Sequence, residues 1–206
     1  MSKKSKKKLQ QQQQRSKSNY ARSIAQFVAR APAHGTLVDE KVHVFVDDQN
    51  LFFGITNNHY GPGFRIDFGR LLLQACQRPG GVTRSVGSAY IAGVIPDDDS
   101  FWQIAENQGF NVRRGYLGSN NRSKQDDAYL ITDMVSTVFE QPGPSTVVLI
   151  AGDADYVPPL KKSLTKGWRN EVVFIDHGIS RSLEPVTHQI REIIPYDIQL
   201  ASTIAA

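Results

Sequence analysis

The chain has 206 residues, 40% of them hydrophobic, and a formal net charge of +4; that allows one well-packed domain and a tail, not two large domains. Its single cysteine, Cys76, excludes an intrachain disulfide and leaves little room for a cysteine-based zinc site. No apolar run reaches the ~18 residues of a membrane span, and no apolar stretch follows the basic start as a secretory signal would require. A soluble, reducing, cytoplasmic setting without a membrane partner is expected.

The average charge hides an asymmetry. Residues 1–38 hold nine Lys or Arg and no acid, whereas the remaining 168 hold 15 basic and 20 acidic groups. Residues 1–18 are low-complexity, with a lysine cluster and five consecutive glutamines, and this composition predicts disorder. Either they attract phosphate or they form a solubilising extension. Ile24, Phe27 and Val28 have the spacing of a short amphipathic helix, and Pro32 and Gly35 mark a linker. The division expected is a basic tail over 1–36 and one globular domain over 37–206.

Strand and helix patterns then alternate. Val42–Val46 is an apolar strand that runs into Asp47-Asp48-Gln49-Asn50. Residues 57–64 read as a loop, and Ile66–Cys76 as a helix ended by Pro79-Gly80-Gly81. Ser85–Val94 is a second strand, 97–109 a helix opened by three aspartates, and Phe110–Leu117 a third strand. A polar loop at 118–123 leads to the helix Asp126–Glu140, stopped at Gln141-Pro142-Gly143-Pro144. Val147–Ala151 is a fourth strand broken by Gly152, with a helix continuing over Leu160–Lys166. Glu171–Ile175 is a fifth strand, and Ser182–Ile194 carries the spacing of a last helix. Apolar strands alternating with helices predict a three-layer α/β/α domain with a mostly parallel sheet of about five strands.

In such a sheet the strand-to-helix loops share one edge, where ligands bind. Asp47 and Asp48 follow the first strand, Asp153 and Asp155 the fourth, and Asp126 and Asp127 open the helix before it. Each aspartate alone could be a cap or turn residue, and of Asp126 and Asp127 one could cap and the other ligate. Gathered together, they repel one another unless a cation sits among them, and a hard divalent ion with oxygen ligands, Mg²⁺ or Mn²⁺, suits them. Asp97–Asp99 read better as helix-terminal residues. Asp133, about 240° around the helix from Asp127, is better placed to support the site than to share a metal.

Three stretches, VFVDDQN at 44–50, KQDDAYLITDM at 124–134 and the segment 147–175 around GDADY, together resemble the NYN domain of the PIN-like superfamily of metal-dependent ribonucleases. The resemblance covers about Lys41 to Ile194. It implies metal ligands at Asp47, Asp127 and Asp153, with Asp155 as a further ligand or as the base that orients water. It also places Asn50 and Lys124 where phosphate is positioned. Ala151 and Ala154 stand where the family often has Ser, and Gln125-Asp126 where Gly-Val is common; no carboxylate is lost.

On this reading the protein is a Mg²⁺- or Mn²⁺-dependent endoribonuclease acting on RNA, expected to be single-stranded. Arg113, Arg114 and Tyr116 on the third strand either flank that RNA or decorate a surface strand, and Arg114 is counted among the substrate-binding residues. His59, Tyr60 and His177 are weaker candidates. The rival reading is an RNA-binding module without turnover. A homodimer is left open. A receiver domain fails for want of an Asp after the third strand and a Lys after the fifth, and a dinucleotide-binding fold for want of Gly-x-Gly-x-x-Gly.

Overall fold

The structure, a computed structural model, describes residues 41–61, 63–78, 81–94, 100–117, 123–175 and 177–200. The expected tail and its short helix, Asp97–Asp99 and the greater part of the 118–123 loop lie outside the described residues.

Seven strands form one sheet: β1 (Lys41–Asp47), β2 (Ser85–Val94), β3 (Asn111–Leu117), β4 (Ser123–Lys124), β5 (Thr146–Ile150), β6 (Arg169–Phe174) and β7 (Gln189–Glu192). Their order is β4-β3-β2-β1-β5-β6-β7. Every neighbouring pair is parallel except β3 with the two-residue β4. The five α-helices are α1 (Asp48–Ile55), α2 (Phe68–Cys76), α3 (Ser100–Asn107), α4 (Asp126–Glu140) and α5 (Val157–Thr165).

Strand periodicity divides the core in two. On one face Val42, Val44 and Val46 of β1 and Val148 and Ile150 of β5 pack with Leu51 of α1, Leu71 of α2 and Trp102 of α3. On the other, Phe45, Val147 and Leu149 pack with Leu130 and Met134 of α4 and Leu160 of α5. Both faces are thus covered by helices, which is why the central strands read as unbroken apolar runs. Among the described residues no helix is long and apolar enough to cross a membrane.

The mostly parallel sheet is as expected, with the short β4 and β7 added at its edges, but Ser182–Ile194 is not a helix. That segment contains a 3₁₀ turn, Glu184–Val186, followed by β7, which pairs Gln189–Glu192 with Glu171–Phe174 of β6. The pairing is anchored by Arg191, which donates to the Gln74 and Ala75 carbonyl oxygens at 2.8 Å and reaches the buried Glu171 carboxylate at 3.3 Å. Glu171 also holds Arg84 in a two-point ion pair at 2.8 and 2.9 Å. A polar anchor of this kind leaves no trace in apolar periodicity. The first part of the expected loop 57–64 is instead helical, in a π-helical turn over Thr56–Tyr60 that extends α1.

Candidate active site

β1 and β5 are parallel neighbours, with Val46 opposite Ile150, so Asp47 and the Gly152-Asp153 turn leave the sheet at one edge. From β1 the chain builds outward through β2 to β3, and from β5 outward the other way through β6 to β7. The crevice between β1 and β5 is therefore the switch point at which open α/β sheets bind ligands.

Asp47 is 4% exposed. One carboxylate oxygen accepts the Asn50 backbone N–H at 2.9 Å, capping α1, and the other accepts the Tyr156 hydroxyl at 2.9 Å. Burial holds the carboxyl up at about 7: the Asn50 and Tyr156 bonds oppose the rise, and the negative charges of Asp127 and Asp126 add to it. Asp127, in the first turn of α4, is near enough to Asp47 for the two carboxyls to act on one another. Its carboxyl is raised by burial and then by Asp126, Asp153 and Asp155. Acids from three separate stretches thus act on one another within a single site.

Asp153 and Asp155 are exposed. The Asp153 carboxylate accepts the Asp155 N–H at 3.1 Å and caps the turn Ala154–Tyr156, so it does a local structural job as well. Asn50 spans the crevice: its side-chain oxygen accepts the Gly152 N–H at 2.8 Å, tying the turn after β5 to the start of α1. Gly152 is required by close approach, because a Cβ there would collide with the Gly178 carbonyl oxygen.

The basic candidates divide by strand alternation. Arg113 turns toward α4, where it makes a two-point ion pair with Asp133 at 2.6 and 3.0 Å and lies over the Tyr90 ring. Asp133 therefore neutralises an arginine and stands apart from the acid cluster. Arg114 points to the other face, 3.6 Å from Glu106 of α3. Tyr116, 53% exposed, lines a cavity on that face. Lys124 lies on β4 opposite Tyr116; its side chain and that of His59 lie outside what is described.

Four residues take parts that the sequence pattern does not assign to them. Asp126, not Asp127, is the buried member of its pair, at 4% exposure. Gln125 begins α4 with a left-handed φ of 72°, a conformation that favours glycine. The two residues standing where Gly-Val is common in the family thus hold a backbone geometry suited to Gly and a burial suited to Val. Tyr156 is fully buried against Asp47, and only its place in the Gly-Asp-x-Asp-Tyr motif marks it in the sequence. Asp48 turns away from the acids into the cavity that Tyr116 lines. Burial there, with a smaller contribution from Asp47, raises its carboxyl to about 7.

Hard oxygen donors that repel one another are the set a divalent cation relieves. Among the described residues no three acidic, imidazole or thiol side chains are arranged as a ready ligand group. A Mg²⁺-like ion needs only one or two carboxylates and keeps its waters, and Asp47 and Asp127, whose charges act on one another, could supply them.

A three-layer α/β/α domain with acids gathered at the switch point of a parallel sheet is the class these features define. Residues 41–193 match the NYN domain model, and the chain belongs to that family, whose domains are typically nuclease-like and of the PIN type. In fold it is similar to the crystal structure of a protein of unknown function from Vibrio parahaemolyticus. That similarity has a TM-score of 0.64 at 19% identity and covers 81% of this chain and 100% of the other. No curated protein matches the sequence.

Proposed function

We propose that this protein is a metal-dependent endoribonuclease that hydrolyses single-stranded RNA. The supporting observation is the gathering of like-charged carboxyls from three stretches at the switch point, where Asp47, Asp127, Asp153 and Asp155 act on one another electrostatically. Asp47, Asp127 and Asp153 would hold Mg²⁺ or Mn²⁺. When bound, the ion supplies positive charge that keeps these carboxylates ionised and offsets charge developing on the phosphate.

The protein's own groups do the rest. Tyr156 fixes the orientation of Asp47, and Asn50 fixes the width of the crevice by holding Gly152. Asp155 either ligates or takes up, at a carboxylate oxygen, the proton of the water that attacks phosphorus. Lys124 and Arg114 draw the phosphate backbone along the β3–β4 edge, and the basic residues of 1–36 add affinity that falls with salt.

The test is cleavage of a labelled single-stranded RNA by the full chain with Mn²⁺, with EDTA, and in Asp127→Asn and Asp153→Asn. Loss of cleavage by roughly 100-fold or more in each arm is expected. The binding-module reading is favoured by one observation, that no ready three-residue ligand group exists among the described residues. RNA binding without cleavage under every metal condition would establish it in place of the nuclease.

A further inference from the structure

Asp48 sits one residue from Asp47, yet its side chain serves the opposite face of the sheet. It packs over Gly93 beside Trp102: a Cβ on that glycine would lie 3.0 Å from the Asp48 Cβ and 2.7 Å from the Trp102 ring. Here it faces a cavity of about 1100 Å³ between α1, α3 and the end of β3, walled by Phe52, Phe53, Phe101, Trp102 and Tyr116. Phe53 and Tyr116 leave 54% and 53% of their surface exposed at its margin. Arg65 also lines it. Among the described residues no group donates a hydrogen bond to the Asp48 carboxyl. Asp48 is half-buried, so solvent reaches its carboxyl from the cavity, and a ligand that brings its own donors can take the place of that water.

We infer that this cavity binds one unstacked nucleobase of the RNA, and that Asp48 selects guanine by accepting two hydrogen bonds from its Watson–Crick edge. The inference rests on the nuclease reading only in taking RNA as the ligand. Flat rings with polar edges are what a pocket walled by aromatic rings with a few polar side chains, here Asp48, Gln49, Arg65 and Ser100, accommodates, and unpaired RNA bases are read in this way. An ionised carboxylate offers acceptors only. Guanine presents two adjacent donors, N1–H and the N2 amine, whereas adenine and cytosine present a donor beside an acceptor and uracil a single donor between acceptors. An apolar peptide side chain would leave the carboxyl unmatched. Asp47 and Asp48 are consecutive, about 3.8 Å apart at Cα, so the two sites open from the same end of β1 on opposite faces of the sheet.

The experiment measures fluorescence-anisotropy binding, in EDTA at pH 8, of three labelled pentanucleotides that differ only at the centre: UUGUU, UUIUU with inosine lacking the N2 amine, and UUAUU. The full chain is expected to bind the guanine oligomer about tenfold more tightly than the other two, within the range one bidentate pair discriminates. Asp48→Asn should bring the three affinities together, and Tyr116→Leu, at an exposed ring, should weaken all three alike. Equal affinities for the three oligomers in the unaltered chain, or a guanine preference that survives Asp48→Asn, would overturn the assignment. The two readings fail separately. Guanine-selective binding without Mn²⁺-dependent cleavage keeps the base site and removes the nuclease; cleavage lost in Asp127→Asn with no base preference does the reverse.

Discussion

Replacing Asp47 by Asn should make the protein more stable and less active, and the stability gain should depend on pH in a defined direction. Asp47 is 4% exposed, and its carboxyl is held at about 7 instead of the ordinary 3.8. At 1.36 kcal/mol per pKa unit, ionising it in the folded protein costs about 4 kcal/mol at pH 8. Asp47 and Asp127 share their titration, so part of that cost belongs to the pair, and about 2 kcal/mol is expected from Asp47 alone. The amide keeps the shape, can still accept the Asn50 N–H, and carries no charge to bury.

The sign follows from proton linkage. Because the folded-state pKa is the higher one, the folded protein holds the proton longer. Below about pH 4 both states are protonated and the wild type bears no penalty. Stability is lost as pH rises from about 4 to about 7 and stays lost above. Asp47→Asn should therefore melt with the wild type near pH 4 and, at pH 8 in EDTA, about 4–8 °C above it for a chain of this size. Added Mn²⁺ should raise the wild-type melting temperature more than that of the variant. A variant that melts below the wild type at pH 8, or a gap that does not change with pH, would refute the reasoning.

Three further substitutions test the same cluster. Tyr156→Phe deletes a buried donor that favours ionised Asp47; it should cost about 1–2 kcal/mol in urea melts and move the acidic limb of the pH–rate profile upward. Asp126→Val removes a buried charge that raises both Asp47 and Asp127, so the same limb should move downward while the melting temperature increases. A common direction for the two variants would show that these groups do not set the ionisation of Asp47. Gly152→Ala forces a Cβ against the Gly178 carbonyl; a loss of roughly 1–3 kcal/mol is expected, together with loss of cleavage as the Asn50 clamp is displaced. Unchanged melting in Gly152→Ala would mean that the turn has room that the structure denies it.

The sequence was most informative where burial on both faces wrote a simple pattern. Ser85–Val94 and Asp126–Glu140 have the same bounds in pattern and structure because an apolar run or helical face is closed at both ends by turn residues. The acids that follow β1 and β5 were legible because carboxylates placed directly after buried strands have few structural reasons to be there. Phase within a pair was not legible. Asp126 and Asp127 are indistinguishable as letters, and only the left-handed turn at Gln125 decides which of them is buried. The separate directions of Asp47 and Asp48 are likewise set by packing across the sheet. The last strand was misread because Leu183, Val186, Ile190 and Ile193 repeat at helical spacing. β7 is instead held by pairing to β6 and by the inward Arg191, and tertiary contacts override local preference there.

The Asn50–Gly152 hydrogen bond joins residues 102 positions apart, and the Tyr156–Asp47 bond joins residues 109 apart. Both close only after β5 has docked against β1, with β2, β3 and α4 intervening in the chain. During synthesis the first aspartates emerge long before the last, and Asp47, beyond its local bond to the Asn50 N–H, lacks its tyrosine partner until the second half of the domain has folded. A chain cut short before residue 150 carries Asp47, Asp126 and Asp127 but neither the clamp nor the tyrosine that orients Asp47. In a protein proposed to cut RNA, late assembly keeps incomplete chains inert.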